Sequence, residues 1–249
     1  MDLTYSVITA CLNSSDYISR AINSVLIQKH LPKEYIFVDG GSTDGTIEII
    51  ENTIENIKSN KTDIDCRLIH QKRGGGISNA WNIGLEKISS DIVFILNSDD
   101  WYEANTAEIV INKFISNPKI GIVCGHAKVY SPCTKRTVFI RKNRPLFLFP
   151  FLMPLVHCAT FVKNDVYKKI GKFDERYKIA ADYDFFYRCY LNNVHFLPIN
   201  SILANFQLGG FGDSNRKISR IETFEVANQY FRHKTLLKLV LFLRAVLGK

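Results

Sequence analysis

Apolar side chains in the first half of the chain follow two alternating spacings. Runs at 5–9, 35–38, 67–70, 92–96 and 120–124 are nearly continuous in apolar residues, the pattern of strands buried on both faces. Between them the apolar positions recur at helical spacing: Ile18, Ile22 and Val25; Ile47, Ile50, Ile54 and Ile57; Ala80, Leu85 and Ile88; Ala107, Ile111 and Phe114. Repeated strand–helix units predict an α/β fold, a mostly parallel sheet with helices on both faces. Ligands of such sheets bind at the carboxyl ends of the strands, so chemistry is sought in the residues just after each one.

The second half is less regular. Residues 158–162 read as a strand, 182–191 as a helix, and Ile218, Ile221, Phe224 and Tyr230 as a second helix after Gly209-Gly210. No internal repeat and no linker rich in Pro, Gly or Ser divides the chain. The expectation is one domain over 1–212, with halves at 1–125 and 126–212, followed by a basic amphipathic helical segment at 213–249.

With 249 residues, 46% of them apolar and 22% charged, the chain has enough apolar surface for a large core, which excludes disordered and fibrous classes. The net charge of +8 is unevenly spread. Residues 132–145 carry five basic side chains and no acid, and residues 216–249 carry eight basic and two acidic ones. These basic stretches predict a polyanionic neighbour, and the stripe of Arg232, Lys234, Lys238 and Arg244 against Leu236, Leu237, Val240, Leu243 and Leu247 fits an anionic membrane surface. An ordinary helix packed on the domain or on a second subunit explains the stripe equally well. The apolar stretch 236–247 is interrupted by Lys238 and Arg244, and at about 1.5 Å per residue it falls short of a hydrocarbon core of about 30 Å. The six cysteines form no C-x-x-C, so reduced, mostly buried thiols are expected, and with no visible signal peptide the expected location is the cytoplasm, with peripheral attachment to the inner membrane face.

Asp39 ends the second strand and opens the turn Gly40-Gly41-Ser42-Thr43-Asp44-Gly45-Thr46. The glycines and a Ser42 or Asp44 cap account for the turn; Asp39 itself is a carboxylate where a base or ribose is read. Asn97-Ser98-Asp99-Asp100 follows the fourth strand. Two adjacent carboxylates there repel one another, and a hard divalent cation relieves that repulsion; a solvated acidic turn is the other reading. Arg73-Gly74-Gly75-Gly76 precedes a helix and suits a phosphate or a flexible loop. Asp182 and Asp184 open a helix, one to serve its N-terminus and one to face the cleft, and His157 is either a core residue or a contact for acceptor or phosphate.

The order of these pieces resembles the family 2 inverting glycosyltransferases of the GT-A fold. The matching residues are Ser6 to Thr9 with Asn13, the turn from Val38 to Thr46, Gly76 to Gly84, Asn97 to Asp100, and Gly171 to Glu175 followed by Asp182-Tyr183-Asp184. The resemblance implies a Rossmann-like sheet that binds a nucleotide sugar, UDP-linked first, with dTDP and GDP as the other donors. It puts Thr9 and Asp39 at the nucleotide, Arg73 near the pyrophosphate, Asp99 and Asp100 on a Mn²⁺ or Mg²⁺ and ribose motif with Asp100 the direct ligand, and Asp182 at the general base. The implied reaction is transfer of one sugar to a hydroxyl of a glycan or lipid-linked acceptor in bacterial polysaccharide synthesis, with Asp184 and His157 as further acceptor or phosphate contacts.

The chain departs from the family in lacking Gln-x-x-Arg-Trp and in carrying Ala181 before Asp182, and the Ser214 of its Gly209-Gly210 loop is displaced. A sugar-1-phosphate nucleotidylyltransferase shares the α/β frame but needs a basic Gly-rich loop after the first strand, which residues 9–15 lack. A nucleic-acid-binding protein fits the basic stretches, but the acidic strand ends repel phosphate without a metal, so no nucleic acid partner is expected.

Overall fold

The computed structural model describes residues 3–231; the basic tail at 232–249, including the stripe read as membrane-facing, lies outside the described residues. Four parallel strands, β1 (Tyr5–Cys11), β2 (Glu34–Asp39), β3 (Asp65–His70) and β4 (Ile92–Ile95), lie in the order β3-β2-β1-β4. Helices α1 (Ile18–Leu26), α2 (Thr46–Ser59) and α3 (Gly76–Leu85) connect them in turn.

β1, β2 and β4 are buried at every position because each side of the sheet has its own core. On one side Val7, Tyr35, Phe37 and Phe94 pack with Ile18, Ile22, Val25 and Ile50. On the other, Ile8, Ile36, Val38 and Ile95 pack with Ala80, Trp81 and Leu85. Gly84 lets α3 approach this closely, since a Cβ there would sit 2.4 Å from Ile8 Cγ2. β3 departs from the expected double burial: it is the sheet's outer edge, and its residues are all exposed or half-buried.

Parallel pairing stops after β4. β6 (Ile122–Ser131) pairs parallel with β9 (Phe196–Gln207), while β8 (Thr160–Lys163) runs antiparallel to both β4 and β6. β5 (Trp101–Tyr102) runs antiparallel to β9, and β7 (Arg136–Arg141) forms a hairpin with the second half of β6. The sheet is therefore parallel in the half expected to hold the nucleotide and mixed beyond it, and the β4–β8 pairing makes both halves one sheet. The remaining helices are α4 (Thr106–Ser116), α5 (Asn164–Ile170), α6 (Ala181–Leu191), α7 (Phe211–Ser214) and α8 (Arg216–Tyr230). All six cysteines are free, four of them buried. No helix among the described residues is long and apolar enough to cross a membrane.

Candidate active site

Asp39 closes β2 and is 0% exposed. Its Oδ2 accepts the N–H groups of Gly41 (2.8 Å) and Ser42 (3.0 Å), and its Oδ1 accepts the Ser42 hydroxyl. Both oxygens of this carboxylate are engaged by its own turn, and His70 Nδ1 at the end of β3 lies 3.9 Å from Oδ2. Asp44 completes the turn: its carboxylate accepts the Thr46 hydroxyl (2.6 Å) and the Ser15 N–H (2.9 Å), bonds that hold it well below the usual carboxylate range. Thr9 requires a correction. Strand alternation places it on the face of Val7 and Cys11, where it is fully buried with its hydroxyl 3.3 Å from that of Tyr35, so its side chain lies in the core. Arg73 is exposed, and its stem passes beside Gly41, at the mouth of the same turn.

Asp99 and Asp100 follow β4, and three distant segments fix them. The Gln207 N–H at the end of β9 donates to Asp100 Oδ1 at 3.0 Å. Arg20 of α1 lies flat on the Trp101 ring (3.6 Å) and donates from Nη2 to the Asp99 carbonyl (3.3 Å) and to the Gln207 side chain. Gly210 packs against the Asp99 carboxylate so closely that a Cβ would lie 2.9 Å from Oδ2. Asp100 is 2% exposed; burial and then the neighbouring Asp99 push its carboxyl well above the ordinary range. Asn97 Oδ1, in the same turn, is buried without a hydrogen-bond partner.

The turn carries two adjacent carboxylates, one of them buried, and an orphaned amide oxygen, hard-oxygen groups of the kind that suit a divalent cation. Among the described residues no group of three or more His, Cys, Asp or Glu side chains is arranged to hold a metal. Phosphate oxygens and water would therefore complete the shell, as Mg²⁺ ordinarily requires.

Asp182 is the second residue of α6, half-buried, with the Tyr183 N–H bonded to its Oδ1 at 2.7 Å. Burial raises its carboxyl above the ordinary value, opposed by the nearby His157. The His157 ring stacks near Trp81 (4.7 Å between centroids), and burial lowers its pKa against the pull of Asp182. The next residue, Cys158, is buried, and burial and then the charge of Asp100 push its thiol pKa up, so His157 and Cys158 of one short turn respond to different carboxylate sites. The loop after β9 spans them from another side, with Gly210 on Asp99 and Gly212 beside Ile179. Within that loop the Ser214 hydroxyl donates back to the Gly210 carbonyl at 3.2 Å.

Asp184 also requires a correction. It is 0% exposed, with Oδ2 paired to Arg188 (2.9 Å) and Oδ1 accepting the Tyr230 hydroxyl (2.8 Å), so it joins α6 to α8 and faces no ligand. Two arrangements escaped the sequence reading. Asn82 of α3 donates to the Phe173 carbonyl (2.9 Å) and to Glu175 (2.8 Å), clamping the turn that leads to α6 onto the nucleotide half. Glu222 of α8, buried, accepts the N–H groups of Lys178, Ile179 and Ala180 at 2.9, 2.8 and 2.9 Å, holding the N-terminal end of α6. Its signal was an acid in step with Ile218 and Val226 on an apolar face, at i, i+4 and i+8.

The model of the family described as Glycosyl transferase family 2 matches residues 6–185. An uncharacterized glycosyltransferase of Rickettsia prowazekii is 27% identical over 230 residues, covering 88% of this chain and 69% of that protein. A poly-beta-1,6-N-acetyl-D-glucosamine synthase of Staphylococcus aureus is 32% identical over 120 residues, covering 48% of this chain and 27% of that one. Among solved structures, S. aureus TarS 1–349 in complex with UDP-GlcNAc superposes with a TM-score of 0.68 at 23% identity, covering 90% of this chain. This chain spans only 64% of that TarS chain's length. The mannosyltransferase PcManGT from Pyrobaculum calidifontis, solved with GDP-Man and Mn²⁺, gives 0.69 at 17% identity, with coverage of 97% and 69%. At these identities the structural likeness shows the shared GT-A α/β fold.

Proposed function

The chain belongs to glycosyl transferase family 2, and from that premise we propose that it transfers a single sugar from a nucleotide-sugar donor to an acceptor hydroxyl with inversion at the anomeric carbon. UDP is the first choice of nucleotide, with dTDP and GDP as the alternatives. The acceptor is a lipid-linked glycan of bacterial polysaccharide synthesis. The observation that carries the reading is the Asp99–Asp100 pair at the end of β4, with Asp100 buried on a single backbone donor. The TarS complexes with UDP and UDP-GlcNAc and the GDP-Man and Mn²⁺ complex of PcManGT support a nucleotide-sugar donor.

Asp100, with Asp99, would hold Mn²⁺ or Mg²⁺, which when bound neutralises charge growing on the leaving diphosphate. Arg73 at the mouth of the Asp39 turn adds a guanidinium toward that diphosphate, and Asp39 orders the turn beneath the nucleotide. Asp182 takes the proton of the acceptor hydroxyl as its oxygen attacks the anomeric carbon opposite the leaving group, so one displacement inverts the centre. Burial of Asp182 supports the role by making it a stronger base than a free aspartate.

The test is a panel of UDP-, dTDP- and GDP-sugars with Mn²⁺ or Mg²⁺, scored by nucleotide release and thermal shift. Metal-dependent stabilisation and turnover with one nucleotide class is the expected result. Failure of every nucleotide sugar to bind, with metal present, overturns the reading.

A further inference from the structure

β7 is the most exposed strand of the fold: all six of its residues are exposed. Val138, Phe139 and Ile140 are 56, 49 and 44% exposed, and Phe147, in the turn that follows, reaches 67%. Four of the eleven exposed large apolar residues thus fall within ten positions, a concentration that solvent does not favour. The same stretch holds Lys135, Arg136, Arg141, Lys142 and Arg144 with no acid, and among the described residues none of these five forms an ion pair. Arg141 lies over the Phe206 ring at 4.7 Å and acts electrostatically on Asp100, so Lys135, Arg136, Lys142 and Arg144 are the cations offered to a partner.

The last described residue, Phe231, packs on Phe151 (5.2 Å between ring centroids), just past this stretch. The 18 residues that continue from that point carry Arg232, Lys234, Lys238, Arg244 and Lys249 and no acid. A second basic segment of the sequence therefore continues from a residue packed on Phe151. The like charge of the two segments opposes the tail covering β7 and opposes edge pairing between two copies. A polyanion in water explains the cations but leaves Val138 and Ile140 on one face of the strand and Phe139 on the other exposed among the described residues. A bilayer surface satisfies both, with headgroup charge for the cations and the acyl boundary for the apolar tips.

We propose that the β6–β7 hairpin and the turn through Phe147 form a docking face for a bilayer containing anionic lipid. The inference stands independently of the transferase reading, since it concerns binding alone.

The experiment is flotation of the full chain with phosphatidylcholine vesicles with and without one quarter phosphatidylglycerol, at low and high salt. The native chain is expected to float with the anionic vesicles at low salt. The triple variant Val138→Ser, Phe139→Ser, Ile140→Ser and the separate variant Phe147→Ser are expected to lose at least tenfold in bound fraction, with unchanged melting temperature. Phe139→Trp supplies a local readout, expected to shift its emission to the blue only with anionic vesicles. Variants that float like the native chain overturn the proposal, as does flotation with no blue shift from Trp at 139, which would assign binding to the tail. Preference for an RNA oligonucleotide over the vesicles, or a dimer in sedimentation that the triple variant abolishes, also overturns it.

Discussion

Replacing Glu222 tests whether α8 governs the helix that carries Asp182. In the native fold Oε1 accepts the Lys178 N–H while Oε2 accepts those of Ile179 and Ala180. Hydrogen bonds to a charged group contribute about 1.5–3 kcal/mol each, so three of them set an upper range of roughly 5–9 kcal/mol. Lys178 is exposed and Ile179 half-exposed, so in Glu222→Ala water takes over those two amides and the Ala180 amide bears most of the loss. A net destabilisation of about 3 kcal/mol follows, which in a chain of this size lowers Tm by about 6–12 °C. Glu222→Gln retains one acceptor oxygen in the Oε2 position for two of the three amides, so its loss is about 1 kcal/mol. Both variants should retain donor binding, because the Asp39 turn and the Asp99–Asp100 pair lie on other elements. Transfer should fall more with Ala than with Gln, as the N-terminal end of α6 loosens around Asp182. Thermal melts and steady-state kinetics read both quantities. An Ala variant that melts within about 2 °C of native, or one equal to the Gln variant in both assays, refutes the reasoning.

Asp100→Asn should abolish the thermal shift given by Mn²⁺ with nucleoside diphosphate while leaving the fold intact; isothermal titration checks it, and full turnover in EDTA would remove the metal assignment. Asp182→Asn should keep donor affinity and lose about 10²-fold or more in transfer, the usual contribution of a positioned base. Folded Asp182 binds its proton more tightly than an unfolded aspartate, so its stability contribution is present below the unfolded pKa and is lost as pH rises through the raised folded value. The neutral Asn lacks that loss, and at pH 8 the variant should melt at or above native. Native transfer should fall on its acid side at a pH above the ordinary Asp pKa, as pH–rate profiles will show. Asp184→Asn should give the reverse phenotype: about 2–4 kcal/mol of stability lost with the Arg188 and Tyr230 partners disturbed, and no specific loss of transfer in the folded fraction. Gly210→Ala should push the Asp99 carboxylate aside and lower metal-dependent turnover about tenfold with Tm unchanged, and a native metal response would show that the loop yields instead.

The parallel half of the sheet was legible because β1, β2 and β4 are walled by helices on both faces and so must be apolar throughout. β9 was not. Its run from Phe196 to Gln207 contains Pro198, has no buried residue before Leu203 and then three in a row, so it shows no strand period, and what fixes it is pairing with β6, about 75 residues away. The resemblance alone put Thr9 at the nucleotide, although the period of two that sets its side chain with Val7 and Cys11 was available in the sequence. The Asp99–Asp100 pair was visible because an apolar strand rarely ends in two acids without a reason. Arg20, Gln207 and Gly210, which hold that pair, come from a helix and a strand end that nothing local connects to it. The helix pattern at Ile218, Ile221, Phe224 and Tyr230 was recognisable, but the amides whose hydrogen bonds Glu222 accepts belong to a loop more than forty residues earlier.

Buried carboxylates in this fold separate by how fully their oxygens are supplied with donors. Glu34 accepts from Ser6, from the Ser89 N–H and hydroxyl, and from the Ser90 N–H; burial works against its charge, yet these bonds hold its pKa below the ordinary value. Asp39 has two amides and a hydroxyl, Asp184 a guanidinium and a phenol, and Glu222 three amides. A carboxylate offers about four acceptor positions, and leaving them unfilled in a low-dielectric interior is costly. Asp100 is as buried as the others but receives one backbone N–H, with a second carboxylate beside it. Arg141 and Arg20 offset part of its charge from a distance, but Arg20 directs its Nη2 to the Asp99 carbonyl and Gln207 rather than to the Asp100 carboxylate. Four of these carboxylates are therefore supplied by the chain itself. The fifth receives a single hydrogen bond and has a second carboxylate beside it, and it lies where the proposed function puts a cation and a diphosphate.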